Sequence, residues 1–262
     1  MVVVVIFVPP LLLLVSGSFA QPGLPPPPTP ELVPDPLSTQ GYAQAVELGG
    51  LIRASVNSLV VAVVAVPLSV LVASLAGFAM SRLAPRVTAA VVVVSLVALM
   101  VPLTALLVPR FAVYRTLGLT DTLVPLIAPA LLGTSPLYAL VYYLAFRAVP
   151  ADLYDACLLE DLTPVQMWRR VGLPLVRPVT AALAALTFVL TWSNFLEPLV
   201  YVYDRGLFTL PLALRSLATL DPTNFPVFLA GAVIATVPAL IVFGIAQRRF
   251  LHVDDQVGAH QR

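Results

Sequence analysis

Leu59-Val-Val-Ala-Val-Val-Ala-Val-Pro-Leu-Ser-Val-Leu-Val-Ala-Ser-Leu-Ala-Gly-Phe-Ala-Met80 is a run of 22 residues without Asp, Glu, Lys, Arg or His. As an α-helix it measures about 33 Å, enough to cross a hydrocarbon core of about 30 Å with its backbone polar groups bonded internally. Five more charge-free runs lie on either side: Val2 to Ala20, Val87 to Val108, Leu123 to Phe146, Val179 to Leu196 and Val227 to Ala246. A transmembrane β-barrel needs segments of about 10 residues with alternating polarity, and Val91-Val92-Val93-Val94 does not alternate. The expectation is an all-α polytopic membrane protein, one transmembrane domain over residues 1–262 with about six spans.

Composition agrees. Hydrophobic residues make up 60% of the chain and charged residues 10%, against about 25% charged in a soluble domain. All 14 basic residues are Arg and the net charge is only +1, so nothing suggests an electrostatic nucleic-acid binder and no nucleic-acid partner is expected. Without Lys the chain cannot build the phosphate-binding loop of an ordinary ATPase. Cys157 has no intrachain disulfide partner, and His252 and His260 read as tail residues, so no metal site is expected.

Basic residues in short loops are retained in the cytoplasm. The loops after the second and fourth runs and the C-terminal tail hold Arg82, Arg86, Arg147, Arg169, Arg170, Arg177, Arg248, Arg249 and Arg262. The opposite loops hold Arg53, Arg110, Arg115, Arg205 and Arg215, so the bias puts both termini inside. That topology makes residues 21–50 an external connector, with a polyproline spacer from Gln21 to Leu37, and residues 247–262 a cytoplasmic tail. Ser18-Phe19-Ala20 has the small residues of a signal-peptidase site, but no basic leader precedes the first run, which is expected to remain as a span.

The longest cytoplasmic connection, residues 147–178, carries two helix starts. Pro150 suits a first helical turn, and Thr163-Pro164-Val165-Gln166 has the pattern of a capping box. At 100° per residue, Leu153, Tyr154, Cys157 and Leu158 share one face of the first helix, opposite Asp152, Asp155 and Glu160. Two short helices meeting near Asp161 and Leu162 suit a groove on a partner; lying on lipid is the alternative use of an amphipathic helix.

The run Asp155-Ala156-Cys157-Leu158-Leu159-Glu160-Asp161, followed by Leu173-Pro174-Leu175 and Pro178, resembles the EAA loop of binding-protein-dependent importer permeases. Asn57-Ser58, Gly118-Leu119-Thr120-Asp121-Thr122, Trp192-Ser193-Asn194 and Thr209-Leu210-Pro211-Leu212 extend the resemblance along nearly the whole chain. It is nearest to carbohydrate permeases of the maltose-transporter type. The resemblance implies an inner-membrane permease of an ATP-binding-cassette importer for a sugar or sugar-like solute. It implies as partners a second homologous permease, two ATPase subunits, an extracytoplasmic solute-binding protein and membrane lipid. ATP and Mg would be bound on the ATPase, leaving this chain without a cofactor and without catalytic residues.

Leu153, Asp155, Ala156, Cys157, Leu158, Glu160, Asp161, Leu162 and Pro174 would then form the coupling loop in an ATPase cleft. Here Asp155 replaces the pattern's leading Glu, Cys157 its second Ala, Glu160 its Asp and Asp161 its Gly. Gly commonly ends such a helix in a left-handed conformation, which Asp adopts at some cost.

Asn194 and Glu197, near the outer end of the fifth run, are candidates for the translocation pathway, with a solvated helix end as the other reading. Trp192 and Tyr201 read as packing and interface anchors, and Pro67, Pro102, Pro129 and Pro238 as kinks. The alternative to an ATP-driven permease is a self-contained secondary transporter or channel. Such carriers place ion sites near the midplane and show internal repeats. These runs are charge-free and no repeat is evident.

Overall fold

The computed structural model describes residues 2–24, 32–220 and 224–258, with side chains at 8–24, 32–219, 224–242 and 244–245. Every regular element among these residues is a helix; the β contact is an isolated bridge between Ala20 and Leu37. Much of the expected polyproline spacer, Pro25 to Pro30, and the side chains of His252 and His260 lie outside the described residues.

Three helical segments are long and apolar enough to cross a membrane: Leu51–Arg82, Val124–Arg147 and Phe225–Val242. Two bent pairs bring the number to five if each is one span: Pro85–Leu99 with Leu103–Thr116 at 91°, and Pro164–Leu175 with Arg177–Trp192 at 84°. The first run forms Val2–Gly17, whose 16 residues extend about 24 Å.

Several boundaries move, each for a local reason. The run from Val87 to Val108 is not one rod: its chain turns at Met100 and Val101, and Pro102 heads the next helix. Proline has no N–H and disfavours α geometry in the residue before it, so an apolar run can break there. Pro129 lies in a 3-10 turn, whereas Pro67 and Pro238 sit inside continuous helices. The helix of the fifth apolar run, Arg177–Trp192, stops before the expected Leu196. Beyond the expected spacer, the connector 21–50 holds the helix Gln40–Gly49, which Gly50, at φ 56°, ends before Leu51–Arg82 begins.

The chain divides into two compact units. One comprises Met1–Val60, Asp121–Leu123 and Trp192–Ile241. In it the segment joining the short helices Leu196–Tyr201 and Leu210–Leu220 is tied down at both ends. Asn57 Nδ2 donates to the carbonyls of Gly206 at 2.9 Å and Phe208 at 3.0 Å, and Ser58 Oγ accepts from the Leu210 N–H at 2.8 Å. Asp121 Oδ1 accepts from the N–H groups of Tyr203 at 2.9 Å and Asp204 at 2.8 Å. Three sequence pieces far apart in the chain therefore meet on one turn.

The Asp204 and Tyr203 N–H groups hold the Asp121 carboxyl below its ordinary value of 3.8. A depressed carboxyl contributes its full stability above its unfolded pKa and loses it as pH falls through the folded one. Asp121 also sits at φ 60°. Asp121→Ala is therefore expected to lower the thermal midpoint at neutral pH, through two lost hydrogen bonds and a left-handed Ala. Below about pH 4 the native midpoint should fall towards that of the variant. Unfolding scans in detergent across pH check both expectations.

The other unit comprises Val61–Thr120, Val124–Thr191 and Val242–Arg262. Its core gathers Ala73, Phe78, Tyr142, Phe146, Tyr154, Cys157, Met167 and Trp168, all buried. The helices Leu51–Arg82 and Pro136–Arg147 approach closely at Gly77, where a Cβ would meet Tyr142 Cβ. Small residues permit this kind of helix contact in membranes.

Candidate functional site

The loop after Arg147 folds as its short-range signals direct. Pro150 precedes a helix over Ala151–Leu159. Thr163 forms the capping box: the Gln166 N–H donates to Thr163 Oγ1 at 3.3 Å and the Thr163 N–H to Gln166 Oε1 at 2.9 Å. Between the two helices the chain closes in a Schellman motif. The Leu162 N–H donates to the Cys157 carbonyl at 3.0 Å and the Asp161 N–H to the Leu158 carbonyl at 3.1 Å. Asp161 takes φ 52°, the left-handed geometry its replacement of Gly demands, and Leu162 packs against the core that holds Cys157.

Asp161→Gly is thus expected to raise stability by about 0.5–1 kcal/mol, the difference between Asp strain and the entropy of Gly. Asp161→Val should lower it, since β-branched residues are least tolerant of positive φ. Thermal midpoints of the two variants should bracket that of the native chain.

Only the middle of the expected apolar face is used. Tyr154 and Cys157, 60° apart on the wheel, are buried, while Leu153 and Leu158, 40° farther out on either side, are exposed. Asp155, Ala156, Glu160 and Asp161 are exposed as well, Leu162 is half-buried, and Leu159, which the sequence reading passed over, is 87% exposed. The outer surface is a short mixed ridge of leucines and carboxylates, and two side chains on its inner side anchor it.

Tyr154 is the deeper anchor. Its ring meets Phe78 at 5.9 Å between centroids, and the Arg82 guanidinium carbon lies 4.7 Å above it. Burial pushes the phenol above its ordinary value of 10.0, and this outweighs the opposing pull of Arg82. The pair is therefore a cation over a neutral ring, not a phenolate ion pair.

Pro174 lies after a π-helical turn, Trp168–Gly172, in which the Leu173 N–H reaches back to the Trp168 carbonyl. A proline at 174 cannot donate to residue 170 and crowds its carbonyl, and the widened turn accommodates it. Sequence periodicity does not register a π turn, although Pro174 was its available signal.

Asn194 and Glu197 form a local pair in the other unit. Asn194 Nδ2 donates to Glu197 Oε2 at 2.7 Å, and Asn194 Oδ1 accepts from the Glu197 N–H at 3.4 Å. Glu197 is 6% exposed, so it is not a solvated helix end. Trp192 and Tyr201 are packing residues: both are buried, and the Trp192 indole donates to the Ala235 carbonyl at 3.0 Å.

Apolar spans, with one exposed ridge held to a span by an aromatic core, define a polytopic membrane protein. The chain belongs to the family described as binding-protein-dependent transport system inner membrane component, which matches residues 38–250. It is 31% identical over 195 residues to the lactose transport system permease protein LacG of Rhizobium radiobacter, covering 74% of this chain and 71% of that one. Identity to the arabinooligosaccharides permease protein AraQ of Halalkalibacterium halodurans is 32%, over 74% and 69% of the two chains. The trehalose permease protein SugB of Mycobacterium tuberculosis is 27% identical over 84% and 81%. A chain of a bacterial ABC transporter involved in import of the acidic polysaccharide alginate shares the fold, with a TM-score of 0.76 at 19% identity over 95% of this chain and 94% of that one. The chain is accordingly a multi-pass inner-membrane permease component of an ABC importer and not its catalytic subunit.

Proposed function

We propose that this permease pairs with a second, homologous permease to form an alternating-access pathway for a sugar or sugar-like solute. Two ATPase subunits beneath the pair hydrolyse MgATP, and an extracytoplasmic binding protein delivers the solute. The ridge over residues 151–161 enters a cleft of the ATPase and turns its closure into rigid-body rotation of the spans. Both termini and this loop lie on the cytoplasmic side, as the Arg distribution favours. The lactose, arabinooligosaccharide and trehalose permeases among the relatives support the solute class. Asn194 and Glu197 belong to the pathway in this reading, since a carboxylate buried just past the end of a span is costly and points to a functional position.

The observation that carries the docking role is the ridge itself, a Schellman-capped helix with Leu153, Asp155, Leu158, Leu159 and Glu160 exposed. It is tested by affinity purification of the tagged chain in mild detergent beside a variant lacking residues 150–162. A P-loop ATPase that accompanies the native chain and is lost from the deletion variant supports the reading. A native chain that purifies alone, yet moves radiolabelled trehalose or lactose into liposomes without ATP, is a secondary carrier instead.

A further inference from the structure

We propose that Arg82 is a positioning residue that clamps the 151–159 helix to the end of the 51–82 helix, a role that rests on the 151–161 ridge being the ATPase-facing element. Phe78 and Arg82 are four residues apart, so they project from one face of their helix. Tyr154 sits against both: Phe78 meets its ring at 5.9 Å and the Arg82 guanidinium carbon lies 4.7 Å over its face. The contact continues inward, from Phe78 to Phe146 at 5.3 Å and from Phe146 to Tyr142 at 5.9 Å. Helices 51–82, 136–147 and 151–159 are thereby joined ring to ring within one core.

Arg82 occupies a distinct place in that series. It is exposed, whereas the Tyr154 ring it covers is 2% exposed, so Arg82 closes the core at its rim. The buried Tyr154 hydroxyl has no hydrogen-bond partner among the described residues, which leaves ring contacts and the Arg82 cation to fix the side chain. A force on the ridge reaches span residues through Tyr154, and Arg82 determines whether Tyr154 moves with the span or slips past it.

Cys157, the chain's one thiol, lies one turn beyond Tyr154 on the buried side and reports the clamp directly. A buried thiol reacts through local opening, so its labelling rate follows how firmly the 151–159 helix is held. The purified complex is treated with N-ethylmaleimide, and modification of this chain is followed by intact mass. Arg82→Ala is expected to speed labelling about two- to fivefold, the range of an exposed cation–π contact. Arg82→Lys, which keeps a cation over the ring, should stay near the native rate. Tyr154→Leu should speed labelling by about tenfold, and adding Arg82→Ala to it should change little, because both act through one contact.

Native-like labelling of Arg82→Ala, or full additivity with Tyr154→Leu, overturns the clamp. ATPase recovery is measured on the same preparations: a native chain that recovers none sinks the docking reading, whereas unchanged labelling with the ATPase still bound sinks the clamp alone.

Discussion

Gly77→Val is expected to prevent the chain from reaching a stable fold, and Gly77→Ala to cost about 2–3 kcal/mol, at the upper end of overpacking penalties. Gly in the middle of a helix is ordinarily about 1 kcal/mol worse than Ala, so nothing within the 51–82 helix favours it. The neighbour does. A Cβ there would meet Tyr142 Cβ, and would lie 2.7 Å from Tyr143 N and 2.8 Å from the Ala139 carbonyl oxygen. Two of these three atoms are backbone and cannot rotate away, so the helices must separate. Separation opens the core on both sides of the contact, where Ala73, Tyr142 and Phe146 are almost wholly buried. The valine variant should give no monodisperse peak by size exclusion in detergent, and the alanine variant a markedly lower thermal midpoint. A native midpoint for Gly77→Ala would mean that these helices are not packed at this distance.

What could be read in advance follows the range of each interaction. Pro150 and the Thr163–Gln166 box were legible because a cap is settled within a few residues. The left-handed Asp161 was legible from a family pattern that has Gly there. Hydropathy located apolar runs but carried no information on bends; the bend inside Val87 to Val108 was legible from Pro102, read as a kink, though not its 91° size. A helical wheel gave the direction of the buried face of 151–159 and not its width, which the core sets. Gly77 and the turn held by Asn57, Ser58 and Asp121 were out of reach, since both depend on segments distant in sequence. The Asn194–Glu197 pair was visible as two polar residues, but its burial arises only from packing.

Asp155→Lys is expected to reduce the ATPase recovered with the tagged chain by at least about tenfold while leaving its thermal midpoint in place. Asp155 is exposed on the side of the 151–159 helix away from Tyr154 and Cys157, so a change there reaches no core contact. Surface changes of that kind usually stay within about 0.5 kcal/mol. Docked in a partner cleft, the same carboxylate loses water. Disrupting one member of a desolvated charge pair costs about 2–5 kcal/mol, a factor of roughly 30 or more, and a rim position reduces that towards tenfold. Asp155→Glu restores the family residue with the same charge and a longer reach, and should keep the ATPase bound. Leu159→Ala removes the most exposed apolar side chain of the ridge and should weaken recovery without changing its charge. Together the three variants separate charge, reach and apolar anchoring. Undiminished ATPase recovery with Asp155→Lys would show that the ridge does not dock there, however well folded the loop remains.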